Sequence, residues 1–289
     1  MANYDLPKLF DEFVDARKNG FLAAKEFKEN GGRLAGCLCS YTPQEVLDAG
    51  GIAAVSLCGT SNETIPDAEK VLPKNLCPLI KGTYGFAFTE KCPYTYFSDI
   101  IIGETTCDGK KKMYELLNEL KETYVMHLPQ SQDRPYAGDI WYEEVRLLKE
   151  KLEKKFDITI TDDDLRKAVH TRNRLRKALC DMYQLQETCP PAMHGTEMML
   201  ALQKGGFTFD VEKQIEHVEA LVAERKAAYE AGERPVPASA KRILLTGCPS
   251  GGVIQKVGMV VENNGGVLVC LDDCGGERTR SRMIDENAE

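Results

Sequence analysis

The amino-acid sequence predicts an α/β protein built on parallel β-sheet. Two short apolar segments, 33–39 and 52–57, flank a helical segment in the β-α-β order that produces parallel strands. The run Asp99-Ile-Ile-Ile-Gly103 has the continuous apolar character of a strand that is buried on both faces. A mostly helical stretch, 139–230, then precedes a second β-α-β pattern at 241–271. These features favour two sheet-containing regions joined by helices.

A capping box is expected between the first two strands. Thr42 is placed as the N-cap, Pro43 as the first helical residue and Glu45 as the third, and Ala49-Gly50-Gly51 ends the helix. The remaining elements of the first region are a helix at 4–30, a helix after Gly109 with Met113, Leu116, Leu117 and Leu120 on one face, and a strand at 124–128.

The helical stretch has a clear start signal, because Thr161 with Asp164 caps a long helix. After a linker at 233–239 come a strand (241–246), a helix (253–261) and a strand (267–271). Two strands cannot bury enough apolar surface to form an independent domain. Leu244 and Leu245, or Val267 and Val269, should therefore face an open sheet edge. We expect domains at 1–138, 139–232 and 233–289, the last one incomplete, either because the chain is a fragment or because another chain completes the sheet.

Composition narrows the class of function. A net charge of −8 argues against a broad nucleic-acid interface. The longest apolar runs fall well short of the ~20 residues that span a membrane, and the first residues lack a secretory signal, so a cytoplasmic protein is expected. The 11 cysteines, an odd number, favour metal or redox chemistry over a disulfide framework.

Cys77, Cys92 and Cys107 are the candidate metal ligands. Each lies among turn-forming residues, and proline follows the first two. Cys107 also precedes a helix whose first turn carries Lys110 to Lys112, and a helix N-terminus and cations both favour the thiolate. Three unrelated loop cysteines are an equal alternative, and a zinc site is disfavoured by the absence of Cys-x-x-Cys pairs. Widely spaced thiolates suit an iron–sulfur cluster better.

The other chemistry-bearing residues give weaker signals. Cys37 and Cys39 alternate along one strand, so at least one should pack in the core. Cys58 and Cys180 are expected at core or filler positions. Cys189 fits either a loop or a core role, and the sequence leaves the roles of Cys248, Cys270 and Cys274 open. The four histidines show no metal-binding spacing, and the motifs of common hydrolases and ATPases are absent.

Three strings carry a family resemblance: Asn75-Leu-Cys-Pro-Leu-Ile-Lys81, Lys91-Cys-Pro-Tyr-Thr-Tyr-Phe-Ser-Asp99 and Gly103-Glu-Thr-Thr-Cys-Asp-Gly-Lys-Lys-Lys112. With them, the sequence resembles the 2-hydroxyacyl-CoA dehydratase D-component family and, more closely, its double-cubane cluster protein branch. The likeness extends over nearly the whole chain, including Gly36 to Glu45 and Thr246 to Gly252.

The resemblance implies two Rossmann-like α/β domains with a helical region between them and an iron–sulfur cluster in the cleft. Cys77 and Cys107 match ligands of a 4Fe–4S cluster, and Cys92 matches the extra ligand of the double-cubane (8Fe–9S) branch. Glu45 matches a carboxylate beside the cluster, a catalytic role to be weighed equally against its capping role. Members work as dimers, either of identical or of related subunits, and receive low-potential electrons from an ATP-dependent iron–sulfur activator protein.

The function expected from the resemblance is reduction of a small-molecule substrate at a double-cubane cluster. A 2-hydroxyacyl-CoA dehydratase subunit with a single 4Fe–4S cluster and radical chemistry is the alternative, for which Lys110 to Lys112 are candidate contacts of the CoA phosphates; a solvated first helical turn is the simpler account of these lysines. The family's second domain continues further and supplies more cysteines, so a non-catalytic truncated fragment is a third reading. No contact with nucleic acid or membrane is expected.

Overall fold

The structure is a computed structural model that describes residues 4–247, 254–274, 276 and 281–288. It confirms the α/β class, with two parallel sheets and helices. The chain divides into two compact units, Met1–Leu165 and Arg166–Glu289. The expected division into three domains stays a prediction. No helix among the described residues has the length and apolar character needed to cross a membrane.

The first unit is organised by a four-stranded parallel sheet. Its strands are β1 (Arg33–Leu38), β2 (Ile52–Ser56), β3 (Ile100–Glu104) and β4 (Thr123–Met126), arranged in the order β2-β1-β3-β4. From β1 the chain runs to β2 on one side, whereas β3 pairs on the other side. The order therefore reverses between β1 and β3, and their carboxyl ends form a topological switch point, where sheets of this kind bind ligands.

Helices pack on this sheet. They are α1 (Asp15–Glu29), α2 (Gln44–Ala49), α3 (Ile65–Ala68), α4 (Pro78–Phe88), α5 (Pro93–Phe97), α6 (Asp108–Leu120) and α7 (Ala137–Phe156). The expectation of one helix over 4–30 is wrong. Phe13 stacks on Phe21 with ring centroids 5.3 Å apart, and the extended backbone at Phe13 and Val14 separates a short 3-10 turn, Phe10–Glu12, from α1.

The core of the first unit explains why the sheet forms. One apolar cluster contains five fully buried side chains, Ile100, Ile102, Leu47, Leu148 and Leu152. Burial of each such side chain is worth about 1.5–3 kcal/mol. The single tryptophan, Trp141 on α7, packs against the same cluster.

A buried ion pair fixes the amino ends of β1 and β3. The Lys28 ammonium donates to both carboxylate oxygens of Asp99 (2.7 and 2.6 Å), and the Leu34 backbone N–H donates to the same carboxylate (2.8 Å). The carboxylate therefore joins the end of α1 to two neighbouring strands.

The second unit has helices α8 (Asp162–Gln184, whose first turn precedes the unit boundary), α9 (Gly195–Gly205), α10 (Val211–Glu230) and α11 (Met259–Asn263), with strands β5 (Lys241–Thr246) and β6 (Gly266–Asp272). The predicted cap of α8 is confirmed, because the Thr161 hydroxyl and the Asp164 carboxylate each accept the other residue's backbone N–H. The open sheet edge is also confirmed on β5, where Leu244 is 55% exposed. Val267 on β6 is buried instead, under the helices.

The expected helix at 253–261 begins differently in the described part of the chain. A π-helical turn, Ile254–Gly258, precedes α11. The described segment 281–288 returns to α8, where the Asn173 side chain donates to the Ile284 carbonyl (2.8 Å) and accepts from its N–H (3.0 Å).

Candidate functional site

The carboxyl edge of the first sheet gathers polar side chains and thiols. Cys39 and Thr42 follow β1, Cys58 follows β2, and Glu104 ends β3. Because parallel strands end at the same edge, these residues surround the switch point between β1 and β3. This edge is the candidate site.

Glu104 is the most unusual side chain of this edge. It is fully buried, its Oε1 accepts the Thr42 hydroxyl at 2.7 Å, and its Oε2 has no hydrogen-bond partner among the described residues. Burial raises the pKa of this carboxyl group, and the hydrogen bond from Thr42 opposes the rise only in part. An unsatisfied buried oxygen costs about 1–3 kcal/mol, which marks a position that stability alone does not explain.

Helix α6 contacts the backbone of Glu104. The Tyr114 hydroxyl donates to the Glu104 carbonyl (3.2 Å) and accepts its backbone N–H (3.3 Å). Burial raises the pKa of Tyr114, so its hydroxyl stays protonated over the physiological range. The side chain of Lys110 is 9% exposed, and its ammonium favours the charged forms of both Glu104 and Cys58. The first turn of α6 thus brings a buried cation to the carboxyl edge.

The three predicted ligand cysteines share one backbone role, because each is the N-cap residue of a helix. Cys77 caps α4, Cys92 caps α5 and Cys107 caps α6. The thiol of Cys92 accepts the Thr95 N–H, and the thiol of Cys107 accepts the Lys110 N–H, both at 3.4 Å. The thiols of Cys92 and Cys107 therefore each accept a backbone N–H at the start of a helix, where the helix dipole favours negative charge.

Packing between α4 and α6 brings the positions of Cys77 and Cys107 together. A Cβ atom at Gly109 would lie 2.8 Å from Ile80 Cδ1 and 3.0 Å from Leu76 Cδ1, so the starts of the two helices pack closely at this glycine. Leu76 precedes Cys77, and Gly109 lies in the first turn after Cys107. Both thiols are exposed, so the approach leaves them accessible.

Two glycines allow close backbone contact between α4 and the loop that follows β2. A Cβ at Gly82 would lie 2.7 Å from the Gly59 carbonyl oxygen, and a Cβ at Gly85 would lie 2.3 Å from the Thr64 carbonyl oxygen. Hydrogen bonds reinforce the contact, since the Thr64 hydroxyl donates to the Gly82 carbonyl (3.1 Å) and the Gly59 N–H donates to Thr83 (2.9 Å). The position of Cys77 is therefore fixed by backbone contact with the carboxyl edge.

Cys92 has different neighbours. The adjacent Pro93 contacts α1, where a Cβ at Gly20 would lie 3.2 Å from its ring, and Lys91 pairs with Glu63 at 3.1 Å. In the part of the chain that the structure describes, no three His, Cys, Asp or Glu side chains are arranged to hold one metal ion. Joint ligation by Cys77, Cys92 and Cys107 stays a prediction.

Glu45 is 8% exposed in the first turn of α2. The predicted capping box is wrong here: α2 begins at Gln44, Pro43 is its N-cap, and no side chain caps the helix. The physical reason is that the Thr42 hydroxyl is used by Glu104 across the sheet edge. A catalytic role of Glu45 stays a prediction.

The solvated-turn interpretation of the three lysines is correct for two of them. Lys111 pairs with Asp108 (3.2 Å) and Lys112 with Glu115 (2.8 Å) on the surface, whereas Lys110 is buried. The sequence contained the signal for this difference, since Lys110 lies on the helix face of Met113, Tyr114 and Leu117.

The remaining cysteines differ in their exposure to solvent. Cys37 is 5% exposed in the core, as expected for one of the alternating pair. Cys58, Cys180, Cys270 and Cys274 are half-buried and Cys189 is exposed. Cys248 lies outside the described residues.

Glu104 was not singled out from the sequence. Its signal was a carboxylate placed directly after the apolar run of β3, at the edge where parallel sheets bind ligands.

Comparison with known proteins gives consistent matches. The family model described as 2-hydroxyglutaryl-CoA dehydratase, D-component, matches residues 39–289. The chain is 44% identical over 285 residues to a putative dehydratase subunit, YjiM, of Escherichia coli K12, covering 99% of this chain and 74% of that one. It is 26% identical over 292 residues to the (R)-phenyllactyl-CoA dehydratase beta subunit of Clostridium sporogenes, covering 100% of this chain and 74% of the relative.

Proposed function

We propose, from the premise that this chain belongs to the 2-hydroxyglutaryl-CoA dehydratase D-component family, that it is an iron–sulfur enzyme subunit. It takes single low-potential electrons from an ATP-dependent activator protein and reduces a small-molecule substrate at a double-cubane cluster. It works as a homodimer or with a related subunit.

The observation that supports this proposal is the placement of Cys77 and Cys107. Two exposed, reduced thiols cap neighbouring helices whose first turns are in contact through Gly109. Thiolates are the preferred ligands of iron–sulfur clusters, and two helix N-termini lower the cost of holding their negative charge. The donor chemistry therefore fits the group, with Cys92 as the third proposed ligand.

The chain's own residues have separable tasks in this proposal. The cluster, when bound, supplies one-electron chemistry at low potential. Cys77 and Cys107 would hold it at the carboxyl edge, where the Lys110 backbone N–H donates to the Cys107 thiol and the buried Lys110 ammonium offsets negative charge at Glu104. Glu45 is the proposed proton-handling carboxylate on α2, buried in the first helical turn after β1.

A 2-hydroxyacyl-CoA dehydratase subunit with a single 4Fe–4S cluster is the second candidate. The likeness to an (R)-phenyllactyl-CoA dehydratase beta subunit favours it. The pairing of Lys111 and Lys112 with neighbouring carboxylates argues against them as the contacts of CoA phosphates.

Iron and acid-labile sulfide content, with EPR spectra, tests the proposal on protein purified without oxygen. The variants are Cys77→Ser, Cys92→Ser and Cys107→Ser, with Cys180→Ser on α8 as the matched control. We expect the Cys77 and Cys107 variants to lose cluster iron and the control to keep it. Glu45→Gln should keep its iron and change the EPR signal.

Cys92→Ser separates the two enzymatic readings, because a double cubane carries twice the iron of a single 4Fe–4S cluster. Loss of about half the iron in this variant favours the double cubane. Unchanged iron favours a single cluster without Cys92. A wild-type protein that binds no iron under these conditions contradicts both readings and leaves a non-catalytic fragment.

A further inference from the structure

Cys39 and Cys58 lie opposite each other just beyond the ends of β1 and β2. The register of this parallel pair runs from Arg33–Ile52 to Cys37–Ser56. The Leu57 N–H continues it by donating to the Cys37 carbonyl at 3.0 Å. The same register carried two residues further pairs Cys39 with Cys58.

The two cysteines are also in contact. The backbone and the thiol of Cys39 both contribute to the electrostatic environment of the Cys58 thiol, so the two residues are close neighbours. Neighbouring strands are about 4.8 Å apart, and disulfides join Cα atoms roughly 4.4–6.8 Å apart. A pair that keeps the strand spacing therefore has Cα atoms within the range that a disulfide bridges.

The backbone at Cys39 is unusual. Its φ angle is 91°, in the left-handed region that residues other than glycine seldom adopt. Such conformations persist where the surrounding structure requires them, and they occur most often at functional positions. Both thiols are free and half-buried, so a small reagent reaches them from the carboxyl edge.

We infer that Cys39 and Cys58 form a dithiol modification site that closes to an intramolecular disulfide by exchange with a low-molecular-weight disulfide. The inference is independent of the proposed cluster, since neither residue is one of its proposed ligands.

The exchange is balanced in two steps. The Cys39 thiolate attacks the small disulfide RS–SR, forming a mixed disulfide and expelling one RS⁻. The Cys58 thiolate then attacks the Cys39 sulfur, forming the internal S–S bond and expelling the second RS⁻. The two protons lost by the protein thiols end on the two released thiolates, and the protein is oxidised by two electrons while RS–SR is reduced to two RSH.

Burial and charges around the two thiols indicate which of them attacks the small disulfide first. Burial raises the pKa of the Cys58 thiol, and the Lys110 ammonium and the Cys39 N–H oppose that rise. The Tyr114 hydroxyl also faces the two thiols, and it is neutral. Burial therefore disfavours Cys58 as the first nucleophile, and the Lys110 charge assists it in the closing step.

The test equilibrates the reduced, iron-free full chain with oxidised and reduced glutathione without oxygen. Acid quenching, alkylation of free thiols and peptide mapping by mass spectrometry follow. We expect one internal disulfide joining Cys39 and Cys58. Cys58→Ser should accumulate a glutathione adduct on Cys39, and Cys39→Ser should form no internal bond. Lys110→Met should slow closure by roughly two- to tenfold.

The control is Cys180→Ser, which should close as fast as the wild type. A persistent glutathione adduct on Cys39 of the wild type, or a first disulfide between other cysteines such as Cys77 and Cys107, would overturn the inference. The wild-type peptide map decides this by itself if a cysteine variant fails to fold, and Trp141 fluorescence identifies such a variant.

Discussion

Replacing Gly85 by alanine should destabilise the first unit, because it disturbs the close contact between α4 and the backbone of Thr64. The new Cβ atom would lie 2.3 Å from the Thr64 carbonyl oxygen and 2.7 Å from its hydroxyl. Because the first of these atoms belongs to the backbone, it cannot move aside by changing a rotamer, and overpacking of this kind costs about 1–3 kcal/mol. Displacing Thr64 also breaks its 3.1 Å hydrogen bond to Gly82, worth roughly 1 kcal/mol.

Helix propensity acts in the opposite direction. Alanine is favoured over glycine in a helix by about 0.5–1 kcal/mol. The net expectation for Gly85→Ala is a loss of about 1.5–3 kcal/mol in the free energy of unfolding.

The matched control is Gly138→Ala in α7, where no atom lies within 4 Å of the new Cβ. This variant should gain up to about 1 kcal/mol from helix propensity.

Urea unfolding followed by tryptophan fluorescence measures the difference. The only tryptophan, Trp141, packs in the core of the first unit and therefore reports on that unit. The two alanine variants should differ by about 1.5–4 kcal/mol. If the two variants agree in stability to within about 0.5 kcal/mol, the close backbone contact between Gly85 and Thr64 is refuted.

Three further predictions use urea unfolding, followed by Trp141 fluorescence for the first unit and by circular dichroism for α8. Burial raises the pKa of Glu104, so its contribution to stability is complete below the ordinary pKa of glutamate and is lost as the pH rises through the folded value. Glu104→Gln should remove this decline, and an unchanged pH profile contradicts the assignment. Hydrogen bonding to Arg17 lowers the pKa of Glu63 to about 2. Because the Glu63 side chain is 38% exposed and its charge is screened by solvent, Glu63→Gln should cost about 1 kcal/mol of stability at pH 7. This cost should disappear as the pH falls from 4.5 towards 2, and equal costs at both ends of this range contradict the ion pair. Thr161→Ala should lower stability by about 1 kcal/mol through loss of the cap of α8, and a neutral effect excludes that role.

The sheet was the part of the fold that sequence predicted best. The four strands of the first unit lie within two residues of their expected bounds, because each is a short apolar run bounded by turn residues. The cap at Thr161 was recognised because its partner is only three residues away. Local patterns of this kind do not depend on tertiary contacts.

Helices α4 and α5 show what a local pattern misses. Cys77-Pro78 and Cys92-Pro93 were interpreted as loop turns, yet proline is also favoured at the first position of a helix. Gly82 and Gly85 weaken the helical signal of α4, and their purpose is visible only in the contact with residues 59–64.

The candidate site was predicted unevenly for a related reason. The motif context predicts Cys77 and Cys107, whereas the packing of Gly109 against Leu76 and Ile80 between their helices is visible only in the structure. Glu104 was overlooked, and Thr42 was assigned to the wrong partner, because the bond between them joins residues 62 positions apart. Sequence spacing gives no measure of such a contact.

At the N-cap positions of Cys92 and Cys107, the residue that caps the helix best differs from the residue that could bind a metal. Serine, threonine, aspartate and asparagine are the preferred N-caps, whereas sulfur is a weak hydrogen-bond acceptor. A serine at Cys92 or Cys107 would accept the same backbone N–H more strongly than the thiol does at 3.4 Å. Selection for stability alone would therefore favour replacing these cysteines, and a chain that keeps them gives up helix stabilisation for thiol chemistry. The same trade-off makes serine variants well-folded reporters, in which loss of iron reflects loss of a ligand.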